Sequence, residues 1–193
     1  MSRNTFTSPG FTCALECQQC EFIKSDGQRC RNRVCFGTPL CWVHTKRVYG
    51  VQSRDSTVAN AGKGLFATKD FEEGEYIIPY IGEIITENCL NQRYDDEITA
   101  PYTTDFSRRR YIDSACQRGT ASRANGLFRS NGRSRTRRVH NAEIVNRPSQ
   151  GIWLQATRDI DRGNEIFVWY GNNYILQNNH ETKRTRRQDN RPC

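Results

Sequence analysis

Seven side chains near the N-terminus have the types and spacing of a metal site. The run is Cys13-x3-Cys17-x2-Cys20-x9-Cys30-x4-Cys35-x5-Cys41-x2-His44, and six of the nine cysteines fall in the first 41 residues. Thiolate and imidazole are the ligands that Zn2+ prefers, four at a time, at about 2.0–2.3 Å. Cys41-Trp-Val-His44 is a typical chelating pair, and Gly27-Gln-Arg-Cys30 sets a cysteine just after a turn. One zinc can draw on four of the seven, or two zincs can share a thiolate. Met1-Ser-Arg-Asn-Thr has no apolar stretch of a secretory signal. Clustered cysteines in such a chain point to metal rather than to a spread of disulfides.

The spacing resembles that of small Cys3His modules of the form Cys…Gly-x-x-Cys…Cys-x-x-His. That resemblance implies Cys20, Cys30, Cys41 and His44 as the zinc ligands, with Cys35 as a credible substitute. A segment this poor in aliphatic residues, 13–44, needs such a staple to fold.

The elements around this cluster divide the 193 residues. Residues 1–12 carry no periodicity and read as a mobile tail, 13–44 as the cysteine module, 45–56 as a polar connector. A body runs from 57 to 176, and 177–193 is a basic, disordered tail. Strand signals in the body are short and dense: 64–68, 75–80, 83–86, 143–145, 151–157 and 165–170, rich in β-branched and aromatic residues between Gly, Asn and Asp. The best helical candidate is Glu87 to Tyr94, with Leu90 and Tyr94 four apart. The fold class is mainly β, an α+β arrangement with few short helices. An internal echo links Ala67-Thr-Lys-Asp-Phe-Glu-Glu-Gly74 to Ala156-Thr-Arg-Asp-Ile-Asp-Arg-Gly163, read as a pseudo-symmetric pair of strand–turn–strand units.

Net charge is +8, a balance that favours polyanionic partners. Arginines crowd 129–138 and the patch Lys183-Arg-Thr-Arg-Arg187, which resembles a nuclear-localisation signal, whereas 69–97 is acidic. An acidic patch suits a basic peptide, while the arginine loop 129–138 and the basic tail suit nucleic acid or a nucleosome. No apolar run approaches the roughly 20 residues that span a bilayer. These features predict a soluble, intracellular chain with no membrane partner.

Four ordered stretches of the body resemble the SET-domain family of protein-lysine methyltransferases. They are Gly62-Lys-Gly64, similar to the family's Gly-x-Gly, and Tyr80-Ile-Gly-Glu83, similar to its Tyr-x-Gly-Glu. Then come Tyr111-Ile-Asp113 with Gly119-Thr-Ala-Ser-Arg-Ala-Asn125, and Gly163-Asn-Glu-Ile-Phe-Val-Trp-Tyr-Gly171. The resemblance implies a SET β-clip fold with a pseudoknotted C-terminal segment, S-adenosyl-L-methionine as methyl donor, and a protein lysine, on a histone or another basic tail, as acceptor. It implies a chromatin or nuclear location.

By the same resemblance, Gly62, Lys63 and Gly64 bend the backbone around the donor, and Asn125 grips it. Tyr170 stands beside the transferred methyl, Tyr80 walls the lysine channel, and Val168 leaves room for more than one methyl. The chain departs from the family where Asn125 precedes Gly126-Leu-Phe instead of His-Ser-Cys, and where the arginine stretch delays the second Asn to Asn141. A C-terminal cysteine-rich segment is replaced by the lone Cys193. A catalytically weak or inactive SET-fold binding module, tethered to chromatin or nucleic acid, is the alternative.

Overall fold

A computed structural model describes residues 5–8, 11–15, 17–94, 100, 102–127 and 139–169. The N-terminal part comprises β1 (Thr5–Ser8), β2 (Phe11–Ala14), β3 (Gln18–Gln19), β4 (Arg33–Val34), β5 (Phe36–Thr38) and α1 (Trp42–Tyr49). The body continues with β6 (Val51–Asp55), β7 (Lys63–Ala67), β8 (Tyr76–Pro79), β9 (Glu83–Thr86), α2 (Glu87–Arg93), β10 (Thr103–Ser107), β11 (Arg110–Asp113) and β12 (Arg118–Gly119). After a 3-10 turn at Thr120–Arg123 come β13 (Ala142–Arg147), β14 (Gly151–Ala156), β15 (Glu165–Ile166) and β16 (Val168–Trp169). The protein is mainly β with short helices, as its residue pattern predicts.

Small sheets replace one large one, because every strand is short. The described sheets include β16-β13-β14-β8, β15-β7-β6 and β10-β11-β9. Along β14 burial alternates, with Ile152, Leu154 and Ala156 facing inward, as a pleat with one buried face requires. These residues join Val51, Leu65, Phe71, Ile77, Ile160, Ile166 and Val168 in the main core.

The end of the body is threaded through its middle. β15 pairs antiparallel with β7, and β16 pairs parallel with β13. Between them Phe167 bridges Asn125. Residues 165–169 are therefore held by β7, by Asn125 and by β13 together, in keeping with a pseudoknotted C-terminal segment.

Two segment expectations are corrected. Within 1–12, β1 and β2 form an antiparallel hairpin, Phe6 opposite Cys13 and Thr7 opposite Thr12. Its aromatic residues find partners in the body: Phe6 packs edge-on to Tyr102, and Phe11 edge-on to Tyr94. A short tail read in isolation shows no periodicity, because its partners lie some 90 residues away. Nor is 45–56 a connector. It is the rest of α1, Gly50, and the strand β6, which pairs along its length with β7. Gly50, at φ 68, closes α1 by donating to the Lys46 carbonyl, the left-handed cap that glycine favours. Tyr49 packs against both the cysteine-module core and the main core, which couples the two parts.

Candidate functional site

In the cysteine module, the ligand atoms of Cys20, Cys30, Cys41 and His44 all lie within 4.8 Å of one another. β3 and β4 bring this about. Cys20 donates its N–H to the Asn32 carbonyl at 2.8 Å, and Cys30 donates to Phe22 at 2.8 Å. Cys41 caps α1, so His44 falls in the first turn on the same side. His44 Nδ1 is 3.4 Å from Cys20 Sγ and 3.2 Å from Cys41 Sγ, close to the nitrogen–sulfur edge of about 3.5 Å expected for a tetrahedral zinc site. Phe22 stacks flat on the imidazole, with ring centroids 3.9 Å apart, and fixes its orientation.

The remaining cysteines of the run are committed elsewhere. Cys17 is bonded to Cys35, and Cys13 to Cys116. Cys35 is thus no substitute ligand, and a two-zinc cluster drawing on all seven residues is excluded. The expectation of metal instead of disulfides gives way to two disulfides beside a Cys3His cluster that could hold a metal ion. The Cys13–Cys116 bond ties the N-terminal hairpin to the body.

In the body, the structure gathers Lys63, Gly64 and Asn125 at one place. Asn125 Nδ2 donates to the Lys63 carbonyl at 3.1 Å and to Glu165 Oε1 at 3.3 Å. Gly62 turns at φ 67 with open space where a side chain would stand. Gly64 carries a further constraint. A Cβ there would lie 2.1 Å from Glu165 Oε1, so this glycine is needed to admit a buried carboxylate.

Glu165 is 5% exposed. Burial favours its neutral form, but hydrogen bonds from Thr57, Ser56 and Asn125 prevail and hold its pKa below the ordinary carboxylate value. On the other side of the threaded segment, Asn141 Nδ2 donates to the Glu165 carbonyl at 3.0 Å, and its Oδ1 accepts from the Phe167 N–H at 2.8 Å. The sequence reading missed Glu165 as a site residue. The signal available was a carboxylate within an otherwise apolar strand.

Tyr80 belongs to a second grouping. It is buried, and its hydroxyl donates to the Tyr102 carbonyl at 2.9 Å. The Arg118 guanidinium lies 4.0 Å over the Tyr102 ring, and 5.2 Å over Phe6 of the hairpin. Behind this wall, Asp113 is fully enclosed. It accepts from Arg93 Nη1 at 2.9 Å and from the Tyr94 hydroxyl at 3.1 Å, while Arg93 also reaches Glu83 at 2.6 Å. Val168, expected to border the lysine space, is fully buried in the main core. Tyr170, the arginine stretch 129–138 and the basic tail 177–193 lie outside the described residues.

The SET domain family model matches residues 62–171. This chain belongs to the SET domain family. Among curated proteins it is similar to "Histone-lysine N-methyltransferase, H3 lysine-36 specific" of Yarrowia lipolytica, 34% identical over 56% of this chain and 14% of the relative. It is also similar to "Histone-lysine N-methyltransferase ASHH3" of Arabidopsis thaliana, 25% identical over 62% of this chain and 34% of the relative. Among solved structures, a chain of ctPRC2 "in an autoinhibited conformation bound to S-adenosylmethionine" superposes with a TM-score of 0.51 at 26% identity, covering 66% of this chain and 16% of that one. A chain of the Chaetomium thermophilum polycomb repressive complex 2 gives 0.50 at 25% identity, covering 64% and 15%. The chain thus spans about a third or less of the length of these relatives.

Proposed function

We propose that the protein is an S-adenosyl-L-methionine-dependent protein-lysine N-methyltransferase acting on a histone or another basic tail. The observation that carries this reading is the hydrogen bond from Asn125 to the Lys63 carbonyl. It joins two motifs, 62 residues apart in sequence, that the family resemblance assigns to one donor. The donor supplies a methyl on a positively charged sulfur, and the acceptor is an amine. In this reading Gly62, Lys63, Gly64 and Asn125 bind and orient the donor, so that the methyl faces the lysine in line; orientation alone contributes several kcal/mol.

An unperturbed lysine, with pKa about 10.4, is protonated at neutral pH. The task of the enclosing aromatic residues is to strip water from the ammonium and favour the neutral amine. Tyr80 walls that space, and Tyr170 orients the amine. Zn2+ at Cys20, Cys30, Cys41 and His44 holds the N-terminal module together and takes no part in methyl transfer. The arginine stretch 129–138 and the basic tail contact nucleic acid or a nucleosome, and the protein works on chromatin in the nucleus. Among the described residues no helix is long and apolar enough to cross a membrane.

The test is transfer of a labelled methyl to mixed core histones by the zinc-replete protein and by Tyr170→Phe. Transfer that the substitution abolishes supports the enzyme. A second reading, a SET-fold module that binds without turnover, is favoured by Gly126 standing where the family has His. Donor binding with no transfer to any basic protein would support it.

A further inference from the structure

The Glu165 carboxylate sits beneath the proposed donor site and touches three separate parts of it. Oε1 accepts from the Ser56 hydroxyl at 2.7 Å and from Asn125 Nδ2 at 3.3 Å. Oε2 accepts from the Thr57 backbone N–H at 2.7 Å and from the Thr57 hydroxyl at 2.5 Å. Ser56 and Thr57 begin the β6–β7 turn, whose other end, Gly62-Lys63-Gly64, carries the Gly-x-Gly motif. That turn is closed by Ser56 N–H donating to the Gly62 carbonyl at 2.8 Å. Gly64 lies against the carboxylate itself.

From this the geometry points to Glu165 as a positioning residue, one that locks the Gly62–Gly64 turn to Asn125 and so presets the donor site before ligand arrives. The inference rests on the donor-site reading above. Its chemistry calls for a carboxylate in particular. Each oxygen faces a donor: at Oε1 Asn125 Nδ2, held in that orientation by its bond to the Lys63 carbonyl, and at Oε2 the Thr57 backbone N–H, which cannot reverse. A carboxylate is acceptor-only and satisfies both. In an isosteric glutamine one position becomes an NH2 group. If that group replaces Oε2 it opposes the Thr57 N–H. If it replaces Oε1, Asn125 must flip its amide and release the Lys63 carbonyl. The first arrangement leaves the Thr57 N–H unpaired, which costs more than the loss of one hydrogen bond, and the second breaks the Asn125–Lys63 link itself. Loss of the negative charge further weakens the bonds that remain.

The experiment compares wild type, Glu165→Gln, Asn125→Ala and the double variant, all zinc-replete. Amide exchange at Thr57 and the side-chain NH2 resonances of Asn125 are read in the free protein. Donor Kd is read by calorimetric titration with S-adenosylmethionine, and KM and kcat are read where transfer occurs. Glu165→Gln is expected to stay folded, to speed Thr57 exchange, and to shift the Asn125 NH2 pair. It is expected to weaken donor binding roughly tenfold or more, with KM for the donor rising more than kcat falls. The double variant should be little worse than Asn125→Ala alone. Unchanged Thr57 exchange and Asn125 resonances in Glu165→Gln overturn the inference, and so do strictly additive effects on Kd. If wild type binds no donor, the functional reading falls, while the resonances of the free protein still decide whether the lock exists. If Glu165→Gln does not fold, Thr57→Gly, which removes a hydroxyl donor but keeps the N–H, supplies the exchange and Kd comparison.

Discussion

Phe71 and Ile160 exchange both of their backbone hydrogen bonds, Phe71 N–H to Ile160 at 3.0 Å and the reverse at 2.9 Å. They are the apolar anchors of the two echoed segments, so the internal repeat pairs with itself. The reciprocity extends outward. Asp70 accepts from the Arg162 N–H at 2.7 Å, and Asp159 accepts from the Glu73 N–H at 2.9 Å. Each unit then turns at a glycine of positive φ, Gly74 and Gly163. Two copies of one local pattern therefore make a pseudo-twofold clasp at the base of the threaded segment.

This clasp predicts a large stability effect. Both anchors are fully buried. Phe71→Ala should cost about 3–5 kcal/mol in urea unfolding, and Ile160→Val about 0.5–1.5 kcal/mol. Smaller losses for Phe71→Ala would show that the clasp is not part of the cooperative core.

Metal content should be one zinc per chain. Cys20→Ser, Cys41→Ser and His44→Ala should each lose the zinc, measured by elemental analysis, and unfold the module. Cys17→Ser and Cys35→Ser should keep it, since those residues are paired with each other. Two zincs per chain would refute the four-ligand site.

The Arg93 guanidinium bridges Glu83 and the enclosed Asp113, with only 9% of its side chain exposed. Removing one partner strands a buried charge, so Arg93→Ala should destabilise the protein by about 3–5 kcal/mol. Replacing both Arg93 and Asp113 by apolar residues should cost less than the sum of the single changes, which a double-mutant cycle measures. The Tyr94 phenol, held well above its ordinary pKa by burial and by Asp113, should show no phenolate absorbance short of unfolding.

A pH effect centres on His140. Burial lowers its pKa below the ordinary value near 6.5, and its Nε2 accepts from the Leu127 N–H at 3.0 Å. Because the folded pKa is depressed, this contribution to stability is present above about pH 6.5 and is lost as pH falls through the folded value. An NMR titration of the ring should find a midpoint below 6.5, and His140→Ala should flatten the stability profile in that window. A midpoint at or above 6.5 would contradict it.

Reduction should release the N-terminal hairpin. The Cys13–Cys116 bond closes a loop with a sequence separation of 103, and breaking it is expected to cost about 2–4 kcal/mol. Cys13→Ser should lower Tm and expose Phe6 and Phe11 to proteolysis nearby, with zinc retained. An unchanged Tm would show that the hairpin is held by its aromatic contacts alone.

Much of this protein is legible in its sequence because the relevant signals are local. Strand runs such as Gly151–Ala156 reveal themselves by alternation, α2 by Leu90 and Tyr94 one turn apart, and the Cys3His cluster by the spacing of Cys20, Cys30, Cys41 and His44. The family follows from ordered short motifs, each readable within a brief stretch of chain. What the sequence could not decide depends on which distant groups meet. Cys13 pairs with Cys116 and leaves the ligand pool, Phe6 and Phe11 turn a supposed tail into a packed hairpin, and β6 replaces a supposed connector by finding β7. Glu165 reads only as a carboxylate within an apolar strand, with no role, until Ser56, Thr57 and Asn125, 40 to 109 residues away, surround it with donors. Burial and hydrogen-bond satisfaction are properties of the three-dimensional neighbourhood, so only the tertiary structure assigns them.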